Sequence, residues 1–525
     1  MSRYATVVLL ICIVASARAQ SGDTRGNDVI QHYVRWRGGS AFQALRSIHL
    51  TASVMDGGIA GTKQVWATRQ GLYLEHEQTD QFVTSLAVWG KTTWRTNLSG
   101  QPEPISRSEA NHYGRDASLL FAGIFAGELG ATIGTRPDES FDGLLCNVFR
   151  VSFGDTDTYD FFIAPRTGEL KAVRSTVDRR IQMTVYAQWH VVDGVRQPFA
   201  QEVRSSNQAS QSSLTARSIV ANELPAKNLL QMPNNSVPFR FSKDSDWSGW
   251  IKFDFVDGKR IFIPAEVNGR KVLLLLDSGA ETTVLGKETA SGVGINCAGQ
   301  IGMEGSGGSD AAALCTGVSV SIGNASISGI VAARMDLDAL GRNVGLPIAA
   351  ILGQEVFNSA IVDIDFQQSR IAFRSPTSFT PPNEARRLAL SPWAGDRIVS
   401  VSVEGMPAIP AYFDLGNGSP LDLFPSYWKP LHLLDGRAVT ESQMGGSGGK
   451  KPVSVAVLKT VSFAGIEFRN VRTNFTADVA TTENSEVVKG NVGMPIFDHF
   501  HLMIDYPHNQ IYMIPYSSGP ITLNP

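Results

Sequence analysis

The chain has 525 residues, too many for one hydrophobic core, so two to four domains are expected. Its net charge is −3, with 18% charged residues and no basic block, which argues against nucleic acid as a partner. Hydrophobic residues make up 43% and glycines number 50, alongside many Val, Ile and Thr, a composition that excludes disorder and points to a globular, strand-rich protein.

The N-terminus reads as a targeting signal. Arg3 supplies a positive charge, ATVVLLICIVASA is apolar but short, and Ala17-Arg18-Ala19 gives an A-x-A cleavage pattern. A membrane anchor would need about 20 apolar residues, and Cys12 lacks the small residues that precede a lipidated cysteine. Residues 1–19 are therefore expected to be a signal peptide, and the mature chain to be exported, periplasmic or secreted, starting near Gln20. No later segment is long enough to span a bilayer. In an exported protein Cys297 and Cys315 are candidates for a local disulfide, which leaves Cys146 as a buried apolar residue. No CxxC or HExxH accompanies them and His499 and His501 lack further ligands, so neither a metal nor an organic cofactor is expected.

Residues 20–235 read as one domain. A helix is expected in DVIQHYVRWRGGSAFQALRSI. Alternating runs follow at GTKQVWATRQGLYLEHEQ, SLAVWGKTTWRTN, NVFRVSF, DTYDFFIA and ELKAVRSTVD, each broken by Gly, Asp or Asn, as half-buried antiparallel strands are. The expected product is a curved antiparallel sheet with one or two helices. In pattern alone it resembles the curved-sheet fold of periplasmic lipoprotein carriers, which implies a ligand, a partner or the envelope surface as its contact, or a role as intramolecular chaperone. The polar stretch MPNNSVPFRFSKDSDWSG contains the expected linker, residues 236–249.

The second half repeats itself. MEGSGG (303–308) recurs as MGGSGG (444–449), and ILGQEVF (351–357) as NVGMPIF (491–497). Gly353 and Gly493, Asp365 and Asp505, and Ile371 and Ile511 are each 140 residues apart. Matches in one order and at one offset indicate duplicated domains, taken as residues 250–380 and 381–525. The stretch VLLLLDSGAETTVLG (272–286) then projects onto AIPAYFDLGNGSPLDLF, with Asp414 standing 137 residues after Asp277.

These residues resemble the retropepsin-like and pepsin-like aspartic proteases. The likeness rests on Asp277-Ser278-Gly279-Ala280 with Ile351-Leu352-Gly353, and on Asp414-Leu415-Gly416 with Asn491-Val492-Gly493; it covers roughly residues 250–515. It implies a mainly β, bilobal pair of β-barrels following the curved-sheet domain. It also implies an exported endopeptidase of peptide or protein substrates, in which Asp277 and Asp414 share one proton and activate a water. Ser278, Gly279, Ala280, Leu415, Gly416 and Asn417 would form the loops around the dyad, and Gly353 and Gly493 would brace them. Met303, Gly305, Ser306, Gly307, Met444, Gly446, Ser447 and Gly448 would belong to two flaps over the substrate. With both lobes in one chain, a monomer would carry the whole dyad.

Leu415 departs from the family pattern, which places a hydroxyl there to tie the lobes. Ser278 is expected to bond backbone across the interface. Ala280 cannot donate to Asp277, whereas Asn417 is expected to donate to Asp414, so asymmetric carboxylates and a mildly acidic working pH follow. Two alternatives belong to other classes: a non-catalytic peptide-binding protein with a degenerate cleft, and a lipid- or lipoprotein-binding envelope protein whose function lies in the N-terminal domain. Ser278 as a serine nucleophile is rejected, since no Gly-x-Ser-x-Gly turn surrounds it.

Overall fold

The computed structural model describes residues 24–154, 157–178, 180–204, 211–242, 244–305, 307–446, 448–477 and 485–523. The expected signal peptide, Ser306 and Ser447 lie outside them. Strand takes 53% of the chain and helix 14%, so the fold is mainly β. Among the described residues no helix is long and apolar enough to cross a membrane.

The N-terminal region is one antiparallel sheet of fourteen strands, running from Ser47–Asp56 to Ser212–Ala221. Every alternating run named above lies in it as strand. The expected helix is split. Thr24–Arg37 ends where Gly38 and Gly39 adopt φ of 139° and 58°, and a side chain on Gly38 would strike the Gly194 carbonyl. Only glycine fits this contact. A short helix, Ser40–Ala44, follows, and the residues beyond it enter the first strand. A third helix, Arg107–Ser118, exceeds the one or two expected. Its start was encoded, because Ser106 and Glu109 stand at capping-box spacing and the Ser106 Oγ accepts the Glu109 N–H at 3.1 Å. The first helix buries Ile30, Tyr33 and Val34 against Phe149, Phe161 and their neighbours.

The stretch read as a linker is built into the first lobe. Val237 and Phe239 lie in its core, Arg240–Phe241 pairs with Ala325–Met335, and Ser248 bonds Phe373. Its polar residues serve as backbone partners, which composition alone does not distinguish from solvation.

The two halves of residues 250–515 share one topology. In the first, strands Arg260–Val267, Arg270–Leu276, Ala350–Leu352, Val284–Gly286, Ala325–Met335 and Gly308–Ile322 pair in a closed ring. In the second, Asp396–Val403, Ile409–Phe413, Gly490–Val492, Leu421–Leu423, Ile466–Thr476 and Gly449–Phe463 close in the same order. Ile361–Asp365 pairs with Phe500–Asp505, forming a six-stranded sheet shared by both lobes. The end of the apolar run before Asp277 has a cause, whereas Leu273 within the run is 42% exposed. Its strand pairs antiparallel on one side and parallel with Ala350–Leu352 on the other, and Leu274, Leu275 and Leu276 are buried.

The N-terminal sheet docks on both lobes. Ile59 and Phe82 pack with Leu314 and Val331. The Asn97–Gln101 turn enters the first lobe, where the Gln101 Nε2 donates to the Glu355 carbonyl at 2.9 Å and to the Ser359 Oγ at 2.7 Å. Toward the second lobe, Asp178 accepts from the Ser485 hydroxyl at 2.8 Å.

Candidate active site

Two strands deliver two aspartates to one point. Asp277 follows Arg270–Leu276 and Asp414 follows Ile409–Phe413. Each N–H bonds back to the crossing strand: Asp277 to the Leu352 carbonyl at 3.1 Å and Asp414 to the Val492 carbonyl at 3.2 Å. Each loop turns onto its own carboxylate, with Gly279 N–H donating to Asp277 Oδ1 at 2.9 Å and Gly416 N–H to Asp414 Oδ1 at 2.7 Å. Each glycine also lies against the other lobe's aspartate. A Cβ on Gly279 would fall 2.8 Å from Asp414 Oδ1, and one on Gly416 only 2.3 Å from Asp277 Oδ1. Glycine is thus required here by close approach rather than by φ.

The two carboxyl groups lie within hydrogen-bonding reach. Burial, and then the charge of Asp414, push Asp277 up to about 7.

Ser278 ties the lobes: its Oγ donates to the Phe413 carbonyl at 3.1 Å and accepts from the Leu415 N–H at 2.9 Å. Leu415 is fully buried in the apolar core and contributes its backbone alone to this tie. The Asn417 N–H donates to the Asp414 backbone carbonyl at 3.2 Å, but the Asn417 side chain does not reach the Asp414 carboxylate as expected. Its Nδ2 donates to Asp422 Oδ2 at 2.9 Å, and the donor to Asp414 Oδ2 is Asn491 Nδ2 at 2.8 Å. Asn491 stands where the first copy has Ile351, and an amide in an otherwise apolar buried strand was the available signal. Ala280 presents its carbonyl to the Gln354 N–H at 2.9 Å.

Gly353 and Gly493 pass beneath the loops. A Cβ on Gly353 would meet Thr282 and Ala280 backbone within 2.8 Å, and one on Gly493 the Ser419 and Asn417 carbonyls within 2.5 Å. Behind the first loop lies Glu355, a buried carboxylate that composition did not single out. It accepts from Thr282 Oγ1 at 2.7 Å, Thr283 N–H at 3.0 Å and Thr283 Oγ1 at 2.8 Å. Ser99 of the N-terminal sheet approaches the same carboxylate at 3.4 Å and accepts the Val331 N–H at 3.0 Å.

The two glycine-rich hairpins meet tip to tip. A Cβ on Gly307 would fall 2.3 Å from the Gly449 carbonyl, and one on Gly448 2.3 Å from Gly308 backbone. Gly305 pairs with Gly308 and Gly446 with Gly449 in the hairpin ladders. Met303 packs on the apolar cluster of the first lobe, and the Met444 sulfur faces the Asn474 amide at 3.7 Å. Cys297 and Cys315 form a disulfide across the first hairpin's strands, and Cys146 is free and buried. His501 and Arg374 both bond Asp363, a structural arrangement away from the dyad.

Residues 263–356 match the profile of the aspartyl protease family. This segment is aspartyl-protease-like. It contains Asp277, the first hairpin and Gly353; the second lobe lies beyond it. No curated protein matches the chain. Among solved structures, a DUF1329 family protein from Desulfovibrio piger ATCC 29098 is similar at 10% identity and a TM-score of 0.29, over 39% of this chain and 97% of that one. A putative outer membrane lipoprotein-sorting protein domain from Vibrio parahaemolyticus is similar at 12% identity and a TM-score of 0.27, over 40% of this chain and 97% of that one. Scores this low carry no argument about the chain.

Proposed function

We propose that the chain is an exported aspartic endopeptidase whose dyad is Asp277 and Asp414. The observation that carries the reading is the pair of carboxyls, one from each lobe, each packed on the other lobe's glycine. Asp277 holds the shared proton. Asp414, accepting N–H donors from Gly416 and Asn491, takes a proton from water as the water oxygen bonds the peptide carbonyl carbon. Asp277 gives its proton to the carbonyl oxygen, and a tetrahedral diol forms. Its C–N bond breaks as Asp414 passes the proton to the leaving nitrogen and Asp277 recovers one from the diol. The touching hairpins would part to admit an extended peptide and close over it.

A mixed peptide library incubated with the mature chain from pH 3 to 8, with new termini read by mass spectrometry, tests this. Internal cleavage at mildly acidic pH is expected. No cleavage at any pH, with the cleft free of the chain's own N-terminal segment, would contradict it.

A further inference from the structure

The pseudo-symmetry of the lobes exposes a difference in charge at the two ends of the cleft. Arg260 and Asp396 are the first residues of corresponding strands, Arg260–Val267 and Asp396–Val403. Glu281 and Gly418 each stand four residues past an aspartate. In both halves the residue past the aspartate meets the strand start of the opposite lobe. At one end Glu281 lies against Gly395, beside Asp396, and a Cβ on Gly395 would overlap its Oε1. That acidic end is answered from within the chain: Arg95 of the N-terminal sheet pairs with Glu281 at 3.2 Å, and with Glu103 at 3.2 Å and Glu109 at 3.7 Å.

The other end carries the opposite charge and no such answer. Gly418 leaves room that the Arg260 guanidinium fills, its Nη1 only 2.0 Å from where a Cβ on Gly418 would sit. Nη1 donates to the Lys259 carbonyl at 2.9 Å, and no carboxylate forms an ion pair with the group among the described residues. Burial lowers its pKa from the usual arginine value, while the fields of Asp414, Asp277 and Asp422 oppose that. Asp422 is already engaged by Asn417 and Asn474, and Asp414 by Asn491 and Gly416. A half-buried guanidinium with unused planar N–H donors is matched by a carboxylate, which it can bind in two-point geometry.

We propose that Arg260, over Gly418, forms a subsite for an acidic side chain of the peptide substrate, Asp or Glu, within a few residues of the scissile bond. The substrate carboxylate completes at this end the ion pair that Arg95 and Glu281 complete at the other. The proposal rests on the endopeptidase reading for its substrate, and its test separates the two.

The test takes a cleaved decapeptide and places Glu or Gln in turn at each of the four positions on either side of the bond. At one position Glu is expected to exceed Gln by roughly 10- to 100-fold in kcat/KM, as one charge-assisted contact gives. The ratio should shrink with added salt and fall to near one in Arg260→Gln. Arg260→Glu should prefer Lys over Gln at that position. A ratio near one at every position in the wild type overturns the proposal, even if the variants fail to fold. So does a preference that survives in folded Arg260→Gln. If no peptide is cleaved, fluorescein-labelled positional sets with Glu or Gln are titrated against Asp277→Asn chain by anisotropy. About tenfold tighter binding of the Glu set, lost on adding Arg260→Gln, sustains the subsite without the protease reading; equal binding overturns it.

Discussion

The two lobes share a backbone and differ in what holds their aspartates. Both barrels close in the same strand order, and both loops place a glycine on the partner's carboxylate. The polar groups around them diverge. The first loop is held from behind, by the buried Glu355 carboxylate under Thr282 and Thr283 and by Ser99 and Gln101 of the N-terminal sheet. The second lobe has Pro495 at the position of Glu355, between the buried Met494 and Ile496, and its aspartate is held directly by Asn491. The tie between lobes is likewise one-sided, with Ser278 supplying the hydroxyl and Leu415 the backbone N–H. Duplication thus preserves strand pairing and close packing, which tolerate little change, while buried hydrogen-bond partners can pass from one copy to another.

Breaking the support behind the first loop should have the largest effect on stability. Glu355→Ala strands the buried Thr283 N–H and hydroxyl, while the Thr282 hydroxyl keeps the Val331 carbonyl, and is expected to cost about 3–5 kcal/mol, read as a lower denaturation midpoint. An unchanged midpoint would show that the loop does not depend on Glu355. Next in size is the tie itself. Ser278→Ala leaves the Leu415 N–H and the Phe413 carbonyl without their partner and should cost about 2 kcal/mol, with kcat falling more than KM changes.

The pH dependence sharpens the difference between the two aspartates. Asp277 is raised from 3.8 to about 7 by burial and by Asp414, so the fold favours its protonated form. The stability it contributes is full below about pH 4 and is lost as pH rises through about 7. The productive single proton leaves over the same upper range, so kcat should decline above about pH 7. Asp277→Asn cannot ionise, and its melting temperature should exceed that of the wild type by a few degrees at pH 8 and by less at pH 4. The same difference at both pH values would remove Asp277 as the titrating group.

Much of this was legible in the sequence, because strand alternation, the apolar run before Asp277 and the 140-residue offset are local or periodic signals. Ser278 as the cross-lobe hydroxyl came with the resemblance, which implies that role for the residue after the aspartate. What escaped depends on partners distant in sequence. Asn417 was expected to reach Asp414 from the next turn, but its side chain is taken by Asp422, and Asn491, 77 residues away from Asp414, makes the bond. Glu355 gave no periodic signal, since its donors come from a loop some 70 residues earlier and from the N-terminal sheet. The polar stretch before residue 250 looked like a linker because sequence shows polarity but not whether a strand edge awaits it.

The central claim is that one aspartate from each lobe forms a single catalytic unit. It is tested most directly by cleavage of one identified peptide by wild type, Asp277→Asn and Asp414→Asn side by side. The prediction is that each variant, folded as the wild type, loses roughly 10³-fold or more in kcat, and that the double variant loses little beyond either. Retention of wild-type cleavage by Asp414→Asn would contradict it, leaving the second lobe as a scaffold for a site in the first.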